Sequence, residues 1–555
     1  MKKDSNITIV VNGNKIKALK GELLLDILRN RGIHIPTLCH LEGMHSEYPC
    51  RICIVYDTNN KSYIPACSTK INHEMNIITH SPELLKKRSM LLEMILAHHP
   101  DDCLYCVKNN SCDLRLLANE LNIEQRRFYK KEIAINTDKS AAAMVFDYSK
   151  CVLCGKCVIV CNEIQKCNVL QFNNKGKQSQ IEPEFGKLLN QSLCVFCGKC
   201  IEVCPTASLY EKENISSFYS SVGDFKSKTV SIFSPILELD IAITSLNKTA
   251  RSNENNTITI LRKSGSDLIF SINPAIDLYL FELLNEFKVA KKENQTLVSS
   301  FCPSAELFIQ KHSLNEGIKL SNLIKPIYFF QKLLNYLNSN EKIELHEFTT
   351  CIAEKNVHAS PSFKNKNHSY TVRELLKIKQ ATSYNSNDKH FKPDEPFHLF
   401  SALSYLPFIP GGISEAMVRM LLLENNKADS EVSYNAFRYV EKFSIVNIII
   451  NQEQYSFGII NGMSQIKTAL EAWKNHLPQF IEILACTNGC YYGGGASVAN
   501  QKKEFKQFSK QWFEIVDNSL IRYPQRNTQL MALYQNIIDK TGNDSSLFYN
   551  QKDEQ

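Results

Sequence analysis

Two copies of one cysteine pattern constrain this chain more than anything else in it. They are Cys151-x2-Cys154-x2-Cys157-x3-Cys161 and Cys194-x2-Cys197-x2-Cys200-x3-Cys204, the second followed by Pro205. This is the spacing that holds two 4Fe–4S cubanes, in which the close trio of each run wraps one cluster and the last Cys reaches across to the other. It assigns Cys151, Cys154, Cys157 and Cys204 to one cluster, and Cys194, Cys197, Cys200 and Cys161 to the second. Buried or disulfide-paired thiols are the competing reading, and two in-register runs of four argue against it. Such a module moves electrons one at a time. What the protein does then depends on what lies at either end of the relay.

At 555 residues the chain is too long for one core, and several domains are expected. No stretch approaches the roughly 18 apolar residues of a spanning helix. The start, Met1-Lys2-Lys3-Asp4, leads straight into strand-like Ile7 to Val11, so neither a signal peptide nor an amphipathic presequence is expected. The net charge of +7 suits an acidic redox partner, but is modest enough to reflect a Lys- and Asn-rich composition. Nothing points to nucleic acid. Cysteine is the informative residue: 19 of the 20 fall into ligand-like patterns. Without a signal peptide these mean metal in a reducing, cytoplasmic compartment rather than disulfides. Cys167 is left over and reads as a small buried hydrophobe.

Along the chain, Ile7–Val11, the turn Asn12-Gly13-Asn14 and Lys15–Leu19 predict a hairpin, followed by a helix bearing Leu23, Leu24, Ile27 and Leu28. Then come Cys39-x10-Cys50-x2-Cys53-x13-Cys67, a close pair among four ligands as in plant-type 2Fe–2S proteins, although the spacing differs. Helices are expected around His99-x3-Cys103-x2-Cys106-x5-Cys112. Zinc is the alternative for both sets, and the one-His, three-Cys set suits it better. Gln171–Gln180 reads as a surface loop. Beyond about residue 225 the segments lengthen and become apolar. Leu278, Phe281, Glu282, Leu284 and Phe287 predict a helix with one apolar stripe. Lys364–His368 and Ala381–Glu395 read as loops, with His368 and His390 solvated, and Asn543–Gln555 as a frayed tail.

Four cysteines remain: Cys302, Cys351, Cys486 and Cys490. The stretch Ala485-Cys486-Thr487-Asn488-Gly489-Cys490-Tyr491-Tyr492-Gly493-Gly494-Gly495 sets two thiols one helical turn apart before a glycine run that would let backbone approach a bulky cofactor.

With these residues the chain resembles the iron-only (FeFe) hydrogenases in their larger form with accessory clusters. The resemblance covers nearly the whole chain in module order. Ile35-Pro36-Thr37-Leu38-Cys39 and Pro65-Ala66-Cys67-Ser68 resemble the 2Fe–2S domain of respiratory NADH dehydrogenase large subunits and many hydrogenases. The same families hold a 4Fe–4S cluster on the one-His, three-Cys pattern, and their x3 gap selects His99 over His98. The active-site motifs read here Ser299-Ser300-Phe301-Cys302-Pro303, then Thr349-Thr350-Cys351-Ile352-Ala353-Glu354-Lys355, then Glu482 to Gly495. Thr371-Val372-Arg373-Glu374-Leu375 and Gly411-Gly412-Ile413-Ser414-Glu415-Ala416 support the register. A formate or NADH dehydrogenase large subunit shares the N-terminal half, but would need a longer C-terminal domain without the Cys486–Gly495 stretch.

The resemblance implies an α+β multidomain fold. Its domains are a β-grasp 2Fe–2S domain (1–80), a small helical His-ligated 4Fe–4S domain (81–138), a two-cluster ferredoxin-like domain (139–213) and a large α/β domain (225–542). It implies one 2Fe–2S and four 4Fe–4S clusters, the last a cubane on Cys302, Cys351, Cys486 and Cys490, with Cys490 also bridging to a two-iron unit. It further implies a ferredoxin or a flavin- or NADH-oxidising subunit as electron partner, and hydrogenase maturases if the two-iron unit is bound. Interconversion of protons, electrons and H2 is the family's activity. The departures fall at that chemistry. Phe301 replaces the proton-passing Cys, Glu354 the Lys that meets a cyanide ligand, Leu484 a Met beside the two-iron unit, and Lys325 a hydrogen-bonding Ser. Of two relay glutamates Leu283 occupies one position, and Glu286 alone survives. The alternative expectation is therefore a redox-sensing or electron-transfer protein whose terminal cluster is a plain cubane.

Overall fold

The computed structural model describes residues 6–44, 50–128, 136–224, 226–244, 254–314, 316–337, 342–359, 367–382, 391–497, 502–540 and 548–550. Met1–Asp4, His390 and the tail segments 543–547 and 551–555 lie outside them, as do residues 364–366 and 383–390 of the two expected loops. The chain folds as two compact units. One comprises residues 1–164, 168–192 and 199–210, and the other residues 165–167, 193–198 and 211–555.

In the N-terminal unit Asn12 and Gly13 both take positive φ (49° and 84°), the twist that a two-residue hairpin turn requires. They join Asn6–Val11 to Asn14–Leu19 in antiparallel register. A five-stranded sheet continues through Asn76–Ile78 and Ile54–Asp57 to Ser62–Pro65. Helix Leu24–Asn30 buries Leu24, Leu25, Ile27 and Leu28 against its core. Helix Pro82–Leu96 starts where its sequence says it should: Ser81 caps the Leu84 N–H at 3.1 Å, and Pro82 occupies the first turn. Arg88, 1% exposed on that helix, donates to the carbonyls of Ile54 (2.6 Å) and Thr79 (3.0 Å), tying helix to sheet. Gln171–Gln180 is not a plain loop. Leu170–Asn173 and Gln180–Pro183 pair as a hairpin, because Leu170 and Ile181 bury while Gln171 stays exposed, a period of two too short to read from the sequence.

The C-terminal unit is built on two sheets. One runs Leu268–Ser271, Lys228–Phe233, Ile343–Thr349, Asn367–Thr371, all parallel. The other runs Ile318–Leu320, Thr296–Val298, Phe480–Leu484, Glu453–Asn461, Phe443–Ile450, parallel except for the last hairpin. Phe480–Leu484 is buried at every residue, as expected of a parallel strand covered on both faces. Three expectations fail here. Helix Asn273–Lys292 is buried nearly all round over 273–287 rather than along one stripe, since it runs through the main core with helix Pro326–Leu337 against it. Residues 367 and 368 belong to a strand, and the His368 ring lies 5.9 Å from that of His346. Within the expected frayed tail, Phe548 is fully buried, stacks 4.8 Å from Phe329, and its carbonyl accepts from the Ile324 N–H.

Candidate iron–sulfur centres and the terminal cavity

The N-terminal unit contains three of the predicted ligand sets, and it places the thiols of each set near one another. Cys39, Cys53 and Cys67 are buried and Cys50 half-buried. The Cys50 N–H points at Cys39 Sγ (3.5 Å). Hydrogen bonds among the four thiols push Cys39 and Cys53 down, Cys39 through Cys50 and Cys67, Cys53 through Cys67. They push Cys50 and Cys67 up, as sulfurs crowded at one point must share protons. His99 is 6% exposed, its Nδ1 2.9 Å from the Pro100 carbonyl and its Nε2 buried without a hydrogen-bond partner among the described residues. A backbone carbonyl on one ring nitrogen fixes the tautomer that leaves the other free for a metal. The neighbouring His98 is exposed. Burial pushes Cys151 up to about 11, Cys154 to about 12 and Cys157 well above the thiol range, and the nearby Cys204 adds to all three. Filling such a site with metal must release those protons.

Of the other four, Cys161 and Cys200 belong to the N-terminal unit and Cys194 and Cys197 to the C-terminal one. Cys161 Sγ accepts the Val169 N–H (3.4 Å). Cys167 is 2% exposed with its thiol 3.7 Å from the Gln165 carbonyl, a buried packing residue.

In the C-terminal unit Cys302, Cys351, Cys486 and Cys490 line one cavity with Phe196, Cys197, Phe301, Lys325, Glu347, Glu354, Phe408, Leu484, Gly493 and Gly494. Cys302, Cys351 and Cys486 follow the carboxyl ends of Thr296–Val298, Ile343–Thr349 and Phe480–Leu484, and Ser234 and Ile272 follow two more. That is where the crevice of a parallel sheet opens. About 60 Å³ of it admits the centre of a water molecule. Cys486 and Cys490 are not a helical turn apart as expected. Gly489 takes φ +92°, and the segment leaves the strand as a loop before a short turn at Cys490–Tyr492.

The loop's glycines are there for space. A Cβ on Gly493 would lie 2.2 Å from the Thr350 carbonyl, and one on Gly494 2.3 Å from that of Cys197. The Cys197-bearing segment of the second cysteine run therefore packs backbone to backbone on the terminal loop. Arg373 holds that loop by donating to the carbonyls of Gly494 (2.7 Å) and Ala496 (3.0 Å) while pairing with Glu211 (2.8 Å). Glu482, fully buried, accepts from the N–H groups of Gly411 (3.0 Å) and Ser414 (2.8 Å) and from the Ser414 hydroxyl (2.9 Å). Burial still pushes it up to about 7.

The residues that depart from the family's motifs are mostly in the cavity wall. The Phe301 ring packs between Tyr279 (5.8 Å) and Phe408 (5.7 Å). Lys325 donates to the Ser300 carbonyl and pairs with Glu306 (2.5 Å). Burial pushes Glu354 up to about 8, and the neighbouring Glu347 adds to it. Glu286 does not line the cavity. It accepts from the Ser321 hydroxyl (2.6 Å) and the Asn322 N–H (3.1 Å), and Leu283 is fully buried. Glu347, Glu306, His358 and the role of Arg373 were not singled out from sequence. They are ordinary polar residues several positions from any cysteine, and only the fold brings them to the site.

Residues 227–494 match the family model for the iron-only hydrogenase large subunit, C-terminal domain. Residues 4–82 match a 2Fe–2S cluster binding domain, 88–127 the NADH-ubiquinone oxidoreductase-G iron–sulfur binding region, and 150–208 a 4Fe–4S dicluster domain. The NADP-reducing hydrogenase subunit HndD of Solidesulfovibrio fructosivorans is 26% identical over 97% of this chain and 96% of its own length. Iron hydrogenase 1 of Clostridium pasteurianum is 26% identical over 96% and 97%. A solved FeFe-hydrogenase of Chlamydomonas reinhardtii shares the fold, with a TM-score of 0.52 at 16% identity over 61% of this chain and 98% of that one.

Proposed function

Because the chain belongs to the iron-only hydrogenase family, we propose that this iron–sulfur oxidoreductase relays electrons through one 2Fe–2S and three 4Fe–4S centres to a terminal cubane on Cys302, Cys351, Cys486 and Cys490. Four buried or half-buried thiols around one cavity, with a glycine loop that no Cβ could enter, fit a cubane. Bound there, the cubane supplies reversible one-electron transfer. The chain's own residues do the rest. Gly494 lets the Cys197 segment approach, Arg373 fixes the loop, and Phe301 with Phe408 and Leu484 keeps that side of the cavity apolar.

Turnover of H2 is slow in this reading. The observation that carries it is Phe301, wedged between Tyr279 and Phe408, where the family places a thiol that passes protons. Glu354 compounds it, since a buried carboxyl does not hold an anionic ligand as an ammonium would. The second reading, a working hydrogenase with another proton route, draws on the near full-length likeness to Iron hydrogenase 1. Electrons come from a ferredoxin or a flavin- or NADH-oxidising subunit, in keeping with the NADP-reducing complex named for one relative. Protein produced with hydrogenase maturases decides between the readings. The first expects no CO or cyanide stretching bands in the infrared and little H2 from reduced viologen. Fast H2 evolution from the unmodified chain overturns it.

A further inference from the structure

One group of acid–base side chains at the terminal cavity has no part in electron transfer. Glu354 opens helix Glu354–His358 and lines the cavity, its Oε2 buried and without a hydrogen-bond partner among the described residues. Glu347, on strand Ile343–Thr349, lines the same cavity. Its Oε2 lies 2.6 Å from His358 Nε2, with both side chains under 7% exposed. His358 Nδ1 is likewise buried without a hydrogen-bond partner among the described residues, and Ala359, the next residue, is exposed. Among the described residues the group therefore has open hydrogen-bonding positions at both ends, more than a Glu–His pair needs to pin helix to strand, since buried polar atoms are nearly always satisfied.

Among the described residues the surroundings supply no other proton carrier on this side. Glu354 feels Glu347 from the strand, Lys325 at the start of helix Pro326–Leu337, and Glu306 from helix Pro303–Lys311. Lys325 and Glu306 are already paired with each other. The thiols of Cys302, Cys351 and Cys490 feel Glu354 in turn. His358 has Glu347 beside it and the Tyr328 ring at 6.2 Å, and it faces His346, which burial pushes down to about 3. The Tyr328 hydroxyl donates to the Val357 carbonyl (2.7 Å). Phe301 closes the cavity wall where a thiol would have opened another way.

We propose that His358, Glu347 and Glu354 form a proton-uptake chain for the terminal cavity, in which each electron reaching the terminal cluster is matched by one proton passed from solvent to Glu354. The electron comes from a neighbouring iron–sulfur centre. The proton enters at His358, crosses to Glu347 through their hydrogen bond, and ends on the open carboxylate oxygen of Glu354. No covalent bond other than those to the proton forms or breaks. The driving force is electrostatic, since a negative charge added to a poorly solvated cavity is stabilised by neutralising the nearest carboxylate. This rests on the terminal cubane proposed above.

The test uses anaerobically prepared holoprotein and follows the terminal cubane's EPR signal in redox titrations across the pH range in which the protein stays folded. The expected result includes a stretch where the midpoint potential falls by about 59 mV for each tenfold drop in proton concentration, one proton per electron. In Glu354→Gln that slope disappears. In His358→Gln the equilibrium slope remains, but reduction of the terminal cubane slows at least tenfold, and added imidazole restores it. A merely structural histidine would not be rescued. Infrared difference spectra, reduced minus oxidised, of the unmodified protein need no variant and should gain the C=O stretch of a protonated carboxyl. A terminal signal with a pH-independent potential and no gained carboxyl band overturns the proton chain. Absence of the terminal signal altogether would instead overturn the cubane assignment.

Discussion

The close approach at Gly494 can be tested by adding a single methyl group. In Gly494→Ala the new Cβ would sit 2.3 Å from the Cys197 carbonyl oxygen, 2.9 Å from Gly198 Cα and 3.0 Å from the Cys197 carbonyl carbon. Ordinary contact begins at 3.4 Å, so the two backbones must separate by about 1 Å. All three neighbours are main chain, so no side chain can turn away to make room. Overpacking of this kind costs about 1–3 kcal/mol. The separation also widens the gap between the second cysteine run and the terminal loop. The expected outcome is a lower denaturation midpoint and slower reduction of the terminal cubane in freeze-quench EPR, with the signals of the N-terminal unit unchanged. Gly223→Ala is the control, since its Cβ meets nothing nearer than 3.4 Å. Stability and reduction kinetics in Gly494→Ala equal to wild type would refute the tight approach, and with it the reason given for the glycine run.

Anaerobic iron analysis should find about 18 iron atoms per chain for one 2Fe–2S and four cubanes. A value near 10 would sink the five-cluster reading, and one equivalent of zinc would reassign His99, Cys103, Cys106 and Cys112. Cys167→Ala should leave every EPR signal of the reduced protein in place at a stability cost of about 1–2 kcal/mol; loss of one cubane signal would show the ligand exchange between the two runs to be wrong. Phe301→Cys and Glu354→Lys should each leave H2 evolution weak, any gain requiring both, because one residue carries protons and the other holds an anionic ligand. Burial raises Asp277 from 3.8 to about 8, so its contribution to stability is full below about pH 4 and is lost as pH rises through about 8. The unfolding free energy should therefore fall over that window, by up to about 1.4 kcal/mol per pH unit, and Asp277→Asn, which keeps an acceptor for the Ser401 N–H (2.6 Å), should flatten the slope.

The candidate ligand runs could be proposed from sequence because their signal is local. The two four-cysteine runs need fixed spacing along the chain, and the Asn12-Gly13 turn needs residues that tolerate positive φ, so each of these can be read within a dozen residues. The choice of His99 over His98 came only through the resemblance; of the two, His99 is buried and His98 exposed. What could not be read depends on partners far away in the chain. Gln171–Gln180 is polar enough to look like a loop, yet Leu170 and Ile181 bury and hold it as a hairpin. The tail looked frayed because nothing in its sequence announces that Phe548 will stack on Phe329. Helix Asn273–Lys292 carried an amphipathic pattern, but the fold covers its polar side as well, placing Asp277 against Ser401 and Glu286 against Ser321. Glu482 and the Gly411–Ser414 turn looked like separate motif fragments. They are the two halves of one buried hydrogen-bonded cluster.

The terminal cavity follows the same logic at the level of charge. Read against the family's motifs, it has exchanged an ammonium for a carboxyl at 354 and gained an ammonium at 325. Counting charges alone would suggest compensation. The geometry argues otherwise, because Lys325 is held by the Ser300 carbonyl and Glu306, so its charge is neutralised within the wall. Glu354 keeps an oxygen with no hydrogen-bond partner among the described residues and is pushed up toward neutrality. The cavity thus presents a proton-holding group, not a cation, beside the terminal thiols. Such a wall favours neutralising charge that arrives as electrons over anchoring charge that arrives as anionic ligands. In the proposed reading, the residues at 301, 325 and 354 would act in one direction, away from holding a two-iron unit and toward a cubane whose reduction is coupled to a proton.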